Sequence, residues 1–430
     1  MTIFLCVLGS QKNNNEHISN ISHERPVKQC AANQHKRWYF ATNRSPLEGF
    51  LQSKMLIQPA IAMTTMKACQ GSGYGAPQDM LKVETGVKIP SLADIPKEQR
   101  KDWAIIKVHA VALAPGDCRV LSGKTAPLQG PPAFPYTPGG DVCGTITELD
   151  DDVSADLPFK IGDRVCAMFH GAPRGALGDY AAVHASTVCS KVPDNVRSTD
   201  AASLGSSGPA AIALFDRIKK GDRVLILGAG GGVGSLLCQL ARIKGASFVA
   251  GVSSDPGRLT EKPLAVDAVV DYTKNDPFSK EEWQSNKFDT IIDLASGGWL
   301  KLLEKSESST ESIVKPANEG GRYLTLCPDE PKFEAHTWWA VLKIFLFPAV
   351  WRAMYSRLTT RGRLPKYTYA IGLPSKRTDL DRILQFVSDG QVVPCVDRSF
   401  PFTTEGIVEA FKLQESRHVK GKVVISVADE

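Results

Sequence analysis

The order of apolar and polar residues divides the chain into three regimes. Residues 1–66 sustain no period: isolated apolar residues sit among Asn13-Asn14-Asn15 and scattered His, Ser and Gln. From Met66 onward, short apolar runs alternate with Pro/Gly turns. Trp103–Leu113, Val142–Leu149, Asp163–Phe169 and Tyr180–His184 read as strands, and prolines at 127, 131, 132, 135 and 138 crowd the loops between them. Strands so spaced and so punctuated predict a mainly-β domain over about 67–203. From about residue 204 to 369, strand-like runs alternate with helical ones, the order that builds a parallel sheet from βαβ units. The chain therefore reads as α/β.

The clearest unit of the second regime begins at Arg223-Val-Leu-Ile-Leu227, a continuous apolar run of the kind buried on both faces of a parallel sheet. Gly228-Ala-Gly-Gly-Gly-Val-Gly234 follows, then an amphipathic stretch to Lys244, a stop at Gly245 and a next strand over Ser247–Val252. Glycines at such a strand–turn–helix junction allow a tight turn and a close approach of backbone N–H groups to a pyrophosphate, which also meets the positive end of the helix dipole. The spacing predicts a dinucleotide site at Gly228, Gly230, Gly231, Gly232, Val233 and Gly234. The tip of the next strand indicates which nucleotide: Ser253-Ser254 and Arg258 suit the 2′-phosphate of NADPH. Asp255 keeps NADH open.

Composition narrows the remaining choices. A chain of 430 residues fits two or three domains of ~100–200 residues, and 43% hydrophobic with 23% charged residues excludes a fibrous or disordered protein. Seven Lys/Arg against three Asp/Glu in residues 1–66 account for most of the net +5; the remaining 44 basic and 43 acidic residues nearly cancel. A nucleic-acid footprint is not expected from so neutral a body. Ten cysteines never come closer than 23 residues, which excludes C-x-x-C and zinc-ribbon spacings. Reduced, mostly buried thiols in a protein that is not secreted are the expectation. Met1–Leu8 is apolar but too short, and lacks the basic start of a secretory signal. The acid-poor, basic stretch Lys36–Lys54 resembles organelle transit peptides, so the extension is either a targeting segment or a tail, and mitochondrion, plastid and cytoplasm stay open. No run of 18 uncharged apolar residues predicts a spanning helix.

Several further blocks carry a resemblance. Ala114-Pro-Gly-Asp117, Phe134-Pro-Tyr-Thr-Pro-Gly-Gly-Asp-Val-Cys-Gly144, Ile161-Gly-Asp-Arg-Val165, the glycine loop, Val270-Asp-Tyr-Thr273, Phe288-Asp289 through Asp293, Gly320-Gly-Arg322, Val396–Phe402 and Gly421-Lys-Val-Val-Ile425 occur in order from Met66 to the C-terminus. Together they resemble the medium-chain dehydrogenase/reductase superfamily, and within it the zinc-free quinone oxidoreductases, including plastid-envelope homologues and reticulon-interacting mitochondrial relatives. The resemblance implies a GroES-like β domain (67–203, completed by 370–430) clasping a Rossmann domain (204–369). It implies that Tyr272 packs near the adenosine 2′-phosphate and that Lys422 stands where zinc relatives have a phosphate-binding cation. Core packing for Tyr272 and a surface charge for Lys422 are the competing readings. A homodimer is also implied.

Zinc relatives place ligands at positions matching Ala114, the Gly139-Gly140-Asp141 block and Ser206, and the residues here cannot supply that set. The chemistry that remains is hydride transfer from NADPH to a quinone or an α,β-unsaturated carbonyl, a small lipophilic electrophile, helped by donors near the oxygen where charge develops. Candidate side chains are Asp117, in the loop beside the nicotinamide, and Arg119 as an anion partner; a surface role for Arg119 and a solvated loop position for His170 compete. Ala114 and Ala210 depart from the family's Asn and Thr, which keeps a nucleotide-binding scaffold with vestigial activity as the rival, and an enoyl-thioester reductase as a third option. Finally, Trp338–Trp351 is the most lipophilic stretch, and Ala335 to Thr378 holds eight Lys/Arg and no Asp or Glu. It reads either as a buried helix or as a peripheral membrane contact through 338–377, with Pro348 interrupting it.

Overall fold

The computed structural model describes residues 64–430 except 152–153, 155–156, 170–174, 186–187, 307–311, 331, 359–363, 371–375 and 429–430. The extension up to residue 63, His170, Arg361 and Arg363 therefore lie outside the described residues.

Six parallel strands form one sheet, in the spatial order Ala268–Asp271, Phe248–Ser253, Arg223–Leu227, Thr290–Asp293, Arg322–Thr325 and Lys366–Tyr369. Counted along the chain this order is third, second, first, fourth, fifth, sixth: the Rossmann arrangement, whose path reverses between the first and fourth strands. After Arg223 the first strand is wholly apolar because both of its faces are covered. Val224 and Ile226 meet Ile212, Leu237 and Ile383 from helices on one side, while Leu225 and Leu227 meet Trp283, Phe288 and Trp299 on the other. Burying side chains of this size contributes about 1.5–3 kcal/mol each.

The second sheet is antiparallel except for its last pair. Trp103–Leu113 is its spine. Asp141–Leu149 pairs along one side of it, while the other side is shared by Tyr180–His184 and Lys422–Ser426. Val396–Pro401 then adds in parallel to Lys422–Ser426. The chain's final strands thus complete a sheet that its first half begins, and this return brings the segment before Lys422 alongside the glycine loop. The fold is the α/β pairing of a GroES-like β domain with a Rossmann sheet that the sequence predicts.

The Trp-rich stretch is helical: Trp338–Val341, one wide π-type turn at Leu342–Leu346, then Phe347–Leu358. Pro348 does not break it. A proline ring displaces the carbonyl four residues earlier, here that of Ile344, which falls within the wide turn. No helix among the described residues is long and apolar enough to cross a membrane. The eight described cysteines are free thiols, five of them buried.

Candidate cofactor and active site

A cleft of about 730 Å³ opens at the reversal point of the parallel sheet. Leu227 and Gly228 after the first strand and Leu294–Ser296 after the fourth form one wall; Leu113–Pro115 and Arg417–Lys422, from the antiparallel domain, form the other.

Backbone constraints shape the glycine loop. Gly228 turns with φ +80°, and its N–H and that of Ala229 both donate to the Val252 carbonyl at 3.1 Å. Gly231 N–H donates to the Gly228 carbonyl at 3.2 Å, and the helix Gly232–Ile243 begins with no side-chain cap on its first N–H groups. A Cβ on Gly234 would stand 2.3 Å from the Gly228 oxygen, one on Gly230 2.9 Å from Ser253 Oγ, and one on Gly232 2.9 Å from Lys422 Cδ. All six loop residues expected from the sequence line the cleft. An uncapped helix N-terminus behind a loop with room for backbone alone fits a pyrophosphate.

At the tip of the second strand, Ser253, Ser254, Arg258 and the half-exposed Tyr272 border the same cleft. Arg258 donates to the Gly230 carbonyl at 3.2 Å, which pins its guanidinium beside the loop. Asp255 is engaged: Lys420 Nζ lies 2.7 Å from its carboxylate and holds that carboxyl below its usual range. Sequence reasoning passed over Lys420, which shows no local motif and meets Asp255 only through the fold.

Lys422 differs from its expected role. Its stem borders the cleft, but Nζ lies 2.8 Å from Asp141 Oδ2, and Ser206 Oγ donates to the same oxygen at 2.6 Å. The Lys422 and Asp141 side chains are 8% and 2% exposed. The ammonium is the buried counter-ion of Asp141 and is not held free for a phosphate. The same arrangement tests zinc. Ala114, Gly140 and Ser206 present a methyl, a hydrogen and a hydroxyl, and Asp141, the nearby carboxylate, is already neutralised by an ammonium. This donor set does not fit zinc, and among the described residues no three His, Cys, Asp or Glu converge on a point elsewhere.

The two expected catalytic side chains also stand apart from the cleft lining. Asp117 is 1% exposed, and its carboxylate accepts from Ala114 N–H at 2.8 Å. It caps the helix Pro115–Ser122 and so shapes the Ala114-Pro115 wall without reaching the cavity. Arg119 is not among the residues that line the cleft, and its guanidinium lies 5.5 Å from the centre of the Phe333 ring. Asp293, the last residue of the block Phe288–Asp293, takes a role that its motif did not indicate. Its carboxylate accepts from the N–H groups of Ala295, Ser296 and Gly298 at 2.9–3.1 Å, and from Tyr323 Oη at 2.5 Å. Those bonds mould the loop that forms the cleft's wall after the fourth strand. Cys327 also lines the cleft, and burial followed by repulsion from Asp293 pushes its thiol up to about 11. It stays protonated at neutral pH.

Comparison with known proteins gives two family matches: the alcohol dehydrogenase GroES-like domain over residues 100–194 and the zinc-binding dehydrogenase family over residues 264–425. A 2-methylene-furan-3-one reductase of Solanum lycopersicum is 30% identical over 373 residues, covering 84% of this chain and 79% of that protein. The mitochondrial NAD(P)H oxidoreductase RTN4IP1 of Bos taurus is 30% identical over 423 residues, 91% of this chain and 99% of the relative. Among solved structures, the quinone oxidoreductase from Coxiella burnetii superposes with a TM-score of 0.62 at 23% identity, over 85% of this chain and all of the other.

Proposed function

We propose that this chain, which belongs to the medium-chain dehydrogenase/reductase superfamily, is an NADPH-dependent, zinc-independent reductase of quinones or α,β-unsaturated carbonyls. One observation carries the reading. The cleft offers a backbone cradle for a dinucleotide at one end, while the position where zinc relatives ligate their metal is filled by the Lys422–Asp141–Ser206 cluster.

When bound, the dinucleotide supplies a hydride, and its delivery to an electron-poor carbon leaves negative charge on the acceptor's oxygen. The chain's own residues do the rest by positioning. The loop Gly228–Gly234 takes the pyrophosphate on backbone N–H groups. Ser253, Ser254 and Arg258 take the 2′-phosphate, with Tyr272 beside the adenosine. Asp255 is occupied by Lys420 and is poorly placed to accept from a ribose 2′-hydroxyl, which weighs against NADH. Leu113, Ala114 and Leu326 give the acceptor an apolar wall that keeps water away. Asp117 and Asp293 act as positioning residues, since each fixes a turn that borders the cavity.

The relatives' names support a small lipophilic electrophile or a quinone as partner, and a mitochondrial relative supports an organelle as location. A homodimer and a peripheral membrane contact through 338–377 belong to the same reading. The test uses purified protein with NADPH or NADH, a naphthoquinone, a short and a long 2-alkenal and an enoyl thioester, with metal analysis alongside. Oxidation of NADPH in preference to NADH by a quinone or alkenal, unaffected by chelator, is expected. No oxidation by any acceptor, with NADPH still bound, would leave a nucleotide-binding scaffold. Turnover of the thioester alone would make the chain an enoyl-thioester reductase, and stoichiometric zinc would overturn the metal-free site.

A further inference from the structure

The helical segment after Thr337 carries a feature that hydride transfer does not use. Trp339, Lys343, Phe347, Val350, Trp351 and Met354 recur at three- and four-residue spacings and are all exposed, Trp339 and Trp351 at 66% each. Residues so spaced share one face of a helix. The opposite side is firmly seated: Val341 is buried, Arg352 is paired with Asp329, and Ile344, Phe345 and Pro348 close a small cavity against Tyr367 and Tyr369. The outward face is ordered as well. The Trp339 and Phe347 rings meet edge to face at 5.6 Å, and Trp351 stacks near Tyr355 at 6.1 Å. Loose packing does not explain it: a well-held helix presents five large apolar side chains and one lysine to the outside.

Charge decides what covers this face. From Ala335 to Thr378 there are eight Lys/Arg and no Asp or Glu. Two of the three acids just before this segment are already paired, Asp329 with Arg352 and Glu334 with Lys124 and His336. A second copy docked on the same face would bring an equal basic excess against it. A neutral apolar partner would bury Lys343 without a counter-ion. An anionic lipid surface matches both properties, with indole and phenyl rings at the headgroup boundary and Lys343 facing lipid phosphate. We infer that the Trp339–Met354 face docks the protein on a bilayer containing anionic lipid.

The geometry links this face to the cleft. Between the last cleft residues and the helix, Ala335 N–H donates to the Lys124 carbonyl at 2.7 Å. Phe333 lies under Arg119 and edge-on to Phe345 at 5.0 Å. Cys327 borders both the cleft and the small cavity behind the helix. A docked protein therefore holds its cleft beside the lipid, where a lipophilic acceptor dissolves. This last consequence rests on the reductase reading; the lipid contact does not.

The experiment is flotation of the full-length protein with phosphatidylcholine–phosphatidylglycerol vesicles and with phosphatidylcholine alone, at low and raised salt. Binding to the mixed vesicles that weakens with salt is expected. The K343E variant exchanges a cation for an anion at the surface and should lower partitioning roughly 30-fold. W339S/W351S, altered only at exposed positions, should abolish partitioning while its turnover of a water-soluble quinone matches the parent's. Failure of the parent to bind mixed vesicles, or parental binding by W339S/W351S, overturns the inference. So does a dimer that W339S/W351S converts to a monomer while lipid binding is unchanged. Lipid binding without turnover of any acceptor would instead count against the reductase reading and leave the docking face standing.

Discussion

Replacing Lys422 with Met separates two roles for one ammonium. The substitution keeps an unbranched stem against Gly232 and removes the charge, leaving Asp141 with Ser206 as its remaining partner at 2.6 Å. That carboxylate is 2% exposed, so water cannot replace the lost cation. Breaking a buried pair from one side costs about 3–5 kcal/mol, because a charge stays behind uncompensated. For a folded body of this size the cost is a fall in Tm of about 4–6 °C. The D141N/K422M variant removes both charges and leaves an amide oxygen to accept from Ser206, so most of the loss should return, to within about 1 kcal/mol of the parent. Thermal unfolding followed by tryptophan fluorescence reads the stability, and NADPH titration reads the cofactor site separately. If K422M melts with the parent while its NADPH affinity alone collapses, Lys422 is a phosphate cation after all and the reasoning from the ion pair is wrong.

Three other outcomes follow from the geometry. In G234A the new methyl would stand 2.3 Å from one backbone atom and 2.8 Å from another, with no flexible side chain to yield. NADPH affinity should fall by at least about tenfold alongside a stability loss of about 1–3 kcal/mol, and an unchanged titration would refute the cradle. R258A should weaken NADPH by roughly 10–100-fold, the worth of one charge-assisted contact, and leave NADH nearly untouched; equal losses for both would remove Arg258 from the 2′-phosphate. Burial alone would push the Asp163 carboxyl up, but Lys191 Nζ at 2.8 Å and the Lys160 N–H outweigh it and hold it below the usual range. With the folded pKa below the unfolded one, its contribution is complete above about pH 4 and is lost as pH falls through the folded value. The gap in Tm between the parent and D163N should therefore close toward pH ~3, and a gap that stays constant would contradict the pairing.

The Rossmann half was legible because its constraints are local. A strand buried on both faces must be apolar at its buried positions, and a loop position that admits only backbone must be glycine, so Val224–Gly234 can be read without knowing what lies beside it. The spine Trp103–Leu113 was legible for a similar reason, although nothing in its own residues told which strands share its second side. Partner choice was not legible where the partners are remote. Asp117 looked like a reacting group because its loop lies beside the cleft, yet its carboxylate turns back onto Ala114 N–H. Arg119 meets Phe333, and Lys422 meets Asp141 across 281 positions of sequence. Sequence places such a residue on an element; packing decides which way its charge faces.

That distinction bears on the position where zinc relatives ligate their metal. The site matching the zinc position is a different electrostatic solution and not a metal site with its ligands trimmed away. Lys422 on the last strand pairs with Asp141 of the antiparallel domain, to which Ser206 also donates, and Lys420, two residues earlier, joins Asp255 at the tip of the Rossmann sheet's second strand. One short return of the chain thus fastens both walls of the cleft with a cation each. Installing A114C, G140H and S206C would supply thiolate and imidazole donors, but it would also remove the Ser206 hydroxyl and leave the Lys422 ammonium beside the incoming dication. Repulsion between the two would oppose the metal as long as Lys422 stays charged. Zinc should therefore bind to such a variant only when Lys422 is neutralised as well, a requirement that counting ligand positions in the sequence would miss.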